Sequence, residues 1–129
     1  MKTPMVNNIL DRAYLTEMRQ WVGDAVFHAL SAQASDNLAP ALADLTAAWR
    51  HSDTAAFQEA AHRLKGAAAS IGCAALSMAA HDIIRDPRPA EAISGAEMEA
   101  FHHLLQSSLQ ALHGFSDQPH LTPVPASPQ

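Results

Sequence analysis

From Phe27 to Trp49, apolar residues recur at spacings of three and four, through Leu30, Ala34, Leu38, Ala41 and Leu45. That period puts them all on one side of an α-helix but on both sides of a strand. One long helix is therefore the element that buries them together, and it needs other elements to bury them against. Composition says which kind. Alanine makes up about a fifth of the chain and aromatics only 5%. Alanine has the best helix propensity, and the β-branched and aromatic strand formers are scarce. The expected fold class is all-α. Pro40 lies inside the stripe, where it removes a backbone donor and crowds the carbonyl of Asp36. The stripe keeps its phase across Pro40, so a kink is expected there rather than a break.

Four further helical segments are expected. The first runs from about Asp11, a candidate N-cap, to Val22, with Leu15, Met18 and Val22 on one face. Gly23 breaks it, and Asp24 is placed to cap the long segment, 24–50. The third follows the candidate cap Asp53 and runs to about Ile71, where Gly72 ends it as a left-handed residue. The fourth spans Ala74 to Arg85, with Leu76, Ala79, Ala80 and Ile83 inward, and Asp86-Pro87-Arg88-Pro89 stops it. The fifth opens with Ser94 and Glu97 in capping-box spacing and carries Met98, Phe101, Leu105 and Leu112 to a stop near Gly114. The expected architecture for residues 9–115 is an antiparallel up-down-up-down four-helix bundle, with the short N-terminal helix as an extra piece over one end. Residues 1–8 are expected to be a flexible N-terminus. Residues 116–129, where Pro119, Pro123, Pro125 and Pro128 alternate with polar residues, are expected to be a disordered tail.

Several function classes fall away. The chain has 129 residues, room for one domain, and a net charge of −5 that disfavours general nucleic-acid binding. No apolar run approaches the ~20 residues of a membrane span, and Met1 to Asn8 holds no apolar signal-peptide core. A cytoplasmic protein is expected. The single cysteine, Cys73, excludes an internal disulfide and a Cys-rich zinc site, and a small buried residue is expected there. No Gly-rich phosphate loop or dinucleotide fingerprint is present, so no nucleotide or cofactor is expected. His28, His51, His81, His102, His103, His113 and His120 include no i, i+4 pair, so no metal is expected either. Trp21 and Trp49, near helix ends, are expected in the core. No Ser or Thr stands in a His–Asp constellation, which leaves hydrolase chemistry without support.

The third segment carries the information. Phe57, Leu64 and Ile71 fall one heptad apart, with Ala60 and Ala67 on the other seam position. His62 then points furthest from the core. Lys65 and Gly66 stand beside it at i+3 and i+4, and Ala69 one turn further on. A solvated helix face ordinarily carries Glu, Lys, Gln and Arg, and a mid-helix glycine costs ~1 kcal/mol relative to alanine. A histidine followed by lysine, glycine and alanine leaves a bare strip on which another protein's backbone can approach the imidazole. Lys65, with Arg63 adding to the local field, suggests an anionic group held at His62 on an otherwise acidic chain. The plain alternative is a surface histidine without a role and a glycine that admits a packed neighbouring segment.

His62-Arg63-Leu64-Lys65-Gly66, followed by Ala67-Ala68-Ala69-Ser70-Ile71-Gly72, resembles the signature of the histidine-containing phosphotransfer (HPt) domain. That pattern is His, any residue, Leu, Lys, Gly, then small residues, an aliphatic and a second Gly; every fixed position matches. The resemblance extends from about Leu10 to Phe115. It implies a four-helix bundle in which His62 accepts a phosphoryl group from the aspartate of one response-regulator receiver domain and passes it to another. It also implies Lys65 as the cation beside the phosphate and Gly66 as the residue that leaves space for the docking receiver. A receiver or a hybrid sensor histidine kinase is the expected partner, the receiver bringing its own Mg²⁺, and the chain itself is expected to be a monomeric carrier rather than an enzyme.

A neutral imidazole is a good nucleophile toward an acyl phosphate, and the transfer needs chiefly in-line positioning and charge stabilisation. Gln58 and Glu59, one turn before His62, are both candidates to hold its far ring nitrogen. Family members often place a Gln or similar polar residue on the fourth helix, reaching the histidine. The corresponding position here is Ile84; Arg85 and His81 are candidates to replace it, the alternative being that no residue does. The rival to a phosphocarrier is a non-phosphorylated helical adaptor that uses the same surface only for docking.

Overall fold

The structure, a computed structural model, describes residues 9–118. Residues 1–8, and the tail from 119 on, lie outside the described residues. Five α-helices are present among the described residues: α1 Arg12–Val22, α2 Asp24–Arg50, α3 Thr54–Ser70, α4 Ala74–Arg85 and α5 Gly95–Asp117. One short 3₁₀ turn, Ala90–Ala92, joins α4 to α5 and buries Ala90 against the bundle. No strand occurs among the described residues.

The local signals act as expected at most boundaries. Asp11 and Asp53 each accept the backbone N–H three residues on, from Tyr14 and Ala56, at 3.1 Å. Ser94 and Glu97 form the reciprocal capping box, at 3.0 and 3.1 Å. Gly72 closes α3 with φ of +74°, the left-handed conformation that glycine adopts without strain. Helix α2 runs through Pro40 without interruption.

Contacts between helices fix their relative directions. Ser77 Oγ donates to the Lys65 carbonyl and Gln58 Nε2 to the Ile83 carbonyl, so α3 and α4 run antiparallel. Trp49 Nε1 donates to the Ile93 carbonyl just before α5, at 2.7 Å, while Ser116 Oγ meets His28 Nδ1 at 2.9 Å at the other end. Helices α2 and α5 are therefore antiparallel too. The core between them is filled by Phe27, Leu38, Leu42, Leu45, Phe57, Leu64, Leu76 and Leu112, all fully buried.

Three expectations are corrected. Helix α5 does not stop near Gly114 but continues to Asp117, so 116–118 belong to the fold rather than to a tail. Gly114 merely tolerates the helix; the packing beyond it extends the helix, with Ser116 buried and Phe115 edge-on to Phe27 at 5.8 Å between ring centroids. Asp24 is the first residue of α2 instead of its cap, and its carboxylate accepts Arg19 Nε at 2.8 Å. Trp21 is not in the core. It is 86% exposed, because the inward side of α1 is taken by Leu15 and Arg19. Trp21 lies roughly 200° around the helix from Arg19. Trp49 is partly buried against the core, as expected.

Arg19 explains how α1 is seated. Its guanidinium is buried, stacks 5.2 Å from the Phe27 ring centroid, and donates to the carbonyls of Phe115, Ser116 and Gln118 at 3.1, 3.3 and 3.0 Å. Carbonyls at the end of a helix have no intrahelical donor and carry the negative end of its dipole. A five-donor cation is suited to that position, and the Asp24 carboxylate balances its charge. At the opposite end of α1, the Asp11 N–H donates to the Gly72 carbonyl at 2.9 Å and the Tyr14 hydroxyl to the Ser70 carbonyl at 3.0 Å. The short helix is thereby laid from the C-terminal end of α3 to the C-terminal end of α5.

Candidate functional site

Helix α3 buries Phe57, Ala60, Ala61, Leu64 and Ala68. This inward face leaves His62, Arg63, Gly66 and Ala69 exposed and Lys65 half-buried. The outward row read from the sequence is thus the outward row of the structure. Gly66 is the informative member. A Cβ built on it meets nothing within 4 Å, and its φ is not left-handed. No neighbouring segment among the described residues needs the glycine, which disposes of the close-packing alternative. The space it leaves open faces away from the molecule.

Two grooves flank this row. The first is lined by Gln58, Glu59, His62, Arg63 and Ile84. Gln58 is half-buried and Glu59 exposed, and Ile84 of α4 brings only hydrocarbon to the groove. The second is lined by Lys65, Ala69, Gly72, Ala74, Ser77, Met78, His81 and, from the start of α1, Asp11. The Lys65 ammonium forms no ion pair among the described residues and is the unmatched cation next to the row.

The candidate neighbours of His62 separate accordingly. Arg63 lines the His62 groove, but its guanidinium is 3.2 Å from the Asp44 carboxylate of α2, with both side chains more than half exposed. Its charge is balanced across the α2–α3 seam instead of standing free for a ligand, and an exposed pair of this kind contributes little to stability. Arg85 turns along its own helix to Asp82 at 3.4 Å. His81 opens into the other groove, beside Lys65, with its Nδ1 buried and without a hydrogen-bond partner. Neither Arg85 nor His81 joins the His62 groove; Gln58 and Glu59 do.

Other chemistry finds no support among the described residues. No group of three or more His, Cys, Asp or Glu is placed to hold a metal ion. Cys73 is buried at the start of α4, and burial pushes its thiol up to about 11, away from thiolate reactivity. Among the described residues, no helix is long and apolar enough to cross a membrane.

The groove beside Lys65 is not legible in the sequence. Asp11 stood out only as a helix cap, and Met78, 58% exposed, lies off the Leu76, Ala80 and Ile83 face of α4. That displacement from the apolar stripe was the available signal.

The model of the Hpt domain family matches residues 12–114, most of the chain and nearly all of the described fold. The chain belongs to the Hpt domain family. Hpt domains are helical bundles that carry a phosphoryl group on histidine in two-component signalling, exchanging it with receiver domains and kinases, and they act as carriers rather than as enzymes. The match starts with α1 and ends within α5, so both belong to the Hpt domain. No match to the chain was found among curated proteins or among solved structures.

Proposed function

We propose that this Hpt domain is the phosphohistidine carrier of a multistep phosphorelay and that His62 is its phosphoacceptor. The observation that carries this is the exposed imidazole on α3, standing one turn from a glycine that no internal contact explains. A receiver domain would supply the aspartyl phosphate and its Mg²⁺; the carrier holds no cofactor and works as a monomer. In the transfer, an imidazole nitrogen lone pair forms the N–P bond. The P–O bond to the aspartate breaks, and the carboxylate leaves with its electron pair. Regeneration at a second receiver is the same step reversed. Incubation with a phosphorylated receiver tests the reading: a carrier takes up acid-labile, alkali-stable label, whereas an adaptor takes up none.

Lys65 acts on the charge that develops in transfer and on the phosphohistidine formed, more than on docking. In Lys65→Ala, affinity for an unphosphorylated receiver should stay within a few-fold. Single-turnover transfer should slow, or the phosphohistidine lifetime shorten, by about tenfold, equivalent to ~1.4 kcal/mol. A large loss of affinity with an unchanged transfer step would make Lys65 a docking residue instead.

Gly66 provides access. Gly66→Ala should stabilise the protein by up to ~1 kcal/mol, since α3 continues through it and the added methyl meets no neighbour. Gly66→Gln should fold equally well yet weaken receiver binding, because its side chain occupies the approach one turn from His62. Transfer at the wild-type rate by the Gln variant would remove the steric role.

A further inference from the structure

Met78 is the one large apolar side chain of α4 that stands exposed, and it lines the groove beside Lys65. Carbon makes up most of that lining, through Ala69, Gly72, Ala74 and Met78. We propose that the groove holds the chain's own residues 4–7, with Met5 and Val6 against Met78, as a cover that an arriving receiver displaces. The regulatory part of this rests on His62 being the phosphoacceptor.

The polypeptide enters the described fold at this groove. The Ile9 carbonyl accepts the Ala75 N–H at 3.2 Å, and the Asp11 N–H donates to the Gly72 carbonyl at 2.9 Å. Leu10 between them is buried, and Asp11 itself lines the groove. The segment 1–8 is thus tethered at Ala75, one turn before Met78 on α4. An extended chain covers up to ~3.5 Å per residue, so the four steps from Ile9 back to Met5 span up to ~14 Å. The α4 side of the groove, from Ala74 to His81, rises only ~10.5 Å. Met5 and Val6 therefore reach any part of it.

The segment also suits the groove chemically. It carries Met1, Pro4, Met5 and Val6 but no Asp or Glu, so it brings apolar surface to Met78 and no carboxylate to pair with Lys65. Methionine is unbranched and adapts to shallow, irregular surfaces. The tether supplies an effective concentration in the millimolar range, so a contact too weak to hold a separate peptide keeps the groove covered. A second copy of the chain has no such advantage. Ala69 belongs both to the groove and to the exposed row of His62 and Gly66, so a segment in the groove borders the surface that a receiver approaches. Apparent receiver affinity then falls by the fraction of molecules left open. A cover in place for two-thirds to nine-tenths of the time costs about three- to tenfold.

Methyl NMR of the full chain tests occupancy of the groove without any partner. Nuclear Overhauser contacts should join the Met78 methyl to the methyls of Met5 and Val6, and should persist on dilution. Contacts that fade on dilution would seat a second copy in the groove, and absent contacts would leave it uncovered; either result overturns the proposal. The double variant Met5→Ser/Val6→Ser keeps the chain length and touches no described residue. It should lose the contacts, keep its helicity and bind an unphosphorylated receiver about three- to tenfold more tightly. Unchanged or weaker receiver binding by that variant would also overturn the cover. The methyl contacts are read whether or not label reaches His62, so failure of the carrier reading is recognisable separately, by labelling.

Discussion

His62→Gln should abolish phosphoryl uptake from a phosphorylated receiver while leaving helicity and melting temperature unchanged. The imidazole is exposed and outside the buried face of α3, so no packing contact is lost with it. Glutamine is a good helix former and keeps the polarity of the site. What disappears is the nucleophile: a carboxamide nitrogen has no lone pair available to attack phosphorus, and no second histidine lines the same groove. The loss should therefore reach the background of the assay instead of stopping at the tenfold expected for Lys65. Residual labelling of the variant would place the phosphoacceptor elsewhere among the histidines. A lowered melting temperature would show that His62 supports the fold in a way its exposure does not suggest.

Gly72 is expected to show the largest effect on stability, opposite in sign to Gly66 for the same substitution. Its φ is +74°, and a Cβ there would stand 2.7 Å from both Cγ and Cδ2 of Leu15, a fully buried side chain. A non-glycine residue in the left-handed region costs ~1–2 kcal/mol, and forcing atoms into a filled core costs a further ~1–3 kcal/mol. Gly72→Ala should thus lose several kcal/mol out of the ~5–15 kcal/mol typical of a domain. Urea unfolding and thermal melts measure it directly, with a fall in Tm of more than about 10 °C expected. A melting temperature within a couple of degrees of the wild type would mean that α1 can lift off Gly72 at little cost. The Asp11 side of the groove beside Lys65 would then be a loose wall.

The helices were legible because their signals are local. The Phe27–Trp49 stripe, the caps at Asp11 and Asp53, the Ser94–Glu97 box and the stop at Gly72 each operate within a few residues of sequence. His62, Lys65 and Gly66 were legible for the same reason: a single helix sets their shared face. What escaped depended on which helix meets which. Arg19 reads as a surface cation until the carbonyls ending α5 are brought to it, and the same contacts carry α5 beyond Gly114. Trp21 reads as core until Arg19 is seen to occupy the inward side of α1. Arg63 reads as a free positive charge until Asp44 of α2 stands opposite it. The separation of His81 from the His62 groove follows from the register of α3 against α4, which no spacing within either helix reveals.

The seat of Arg19 also decides how this fold can be connected to other polypeptide. With its guanidinium on the carbonyls of Phe115, Ser116 and Gln118, and Arg12 stacked 5.7 Å from the Phe115 ring, the last turns of α5 are packed along α1. A domain whose first and last helices lie side by side can be set into a surface loop of a host protein, or have its ends linked and be reopened at an exposed connection such as 86–89, without unravelling a helix. His62 lies midway along the chain on α3, so such a rearrangement would leave His62, Lys65 and Gly66 on one uncut helix.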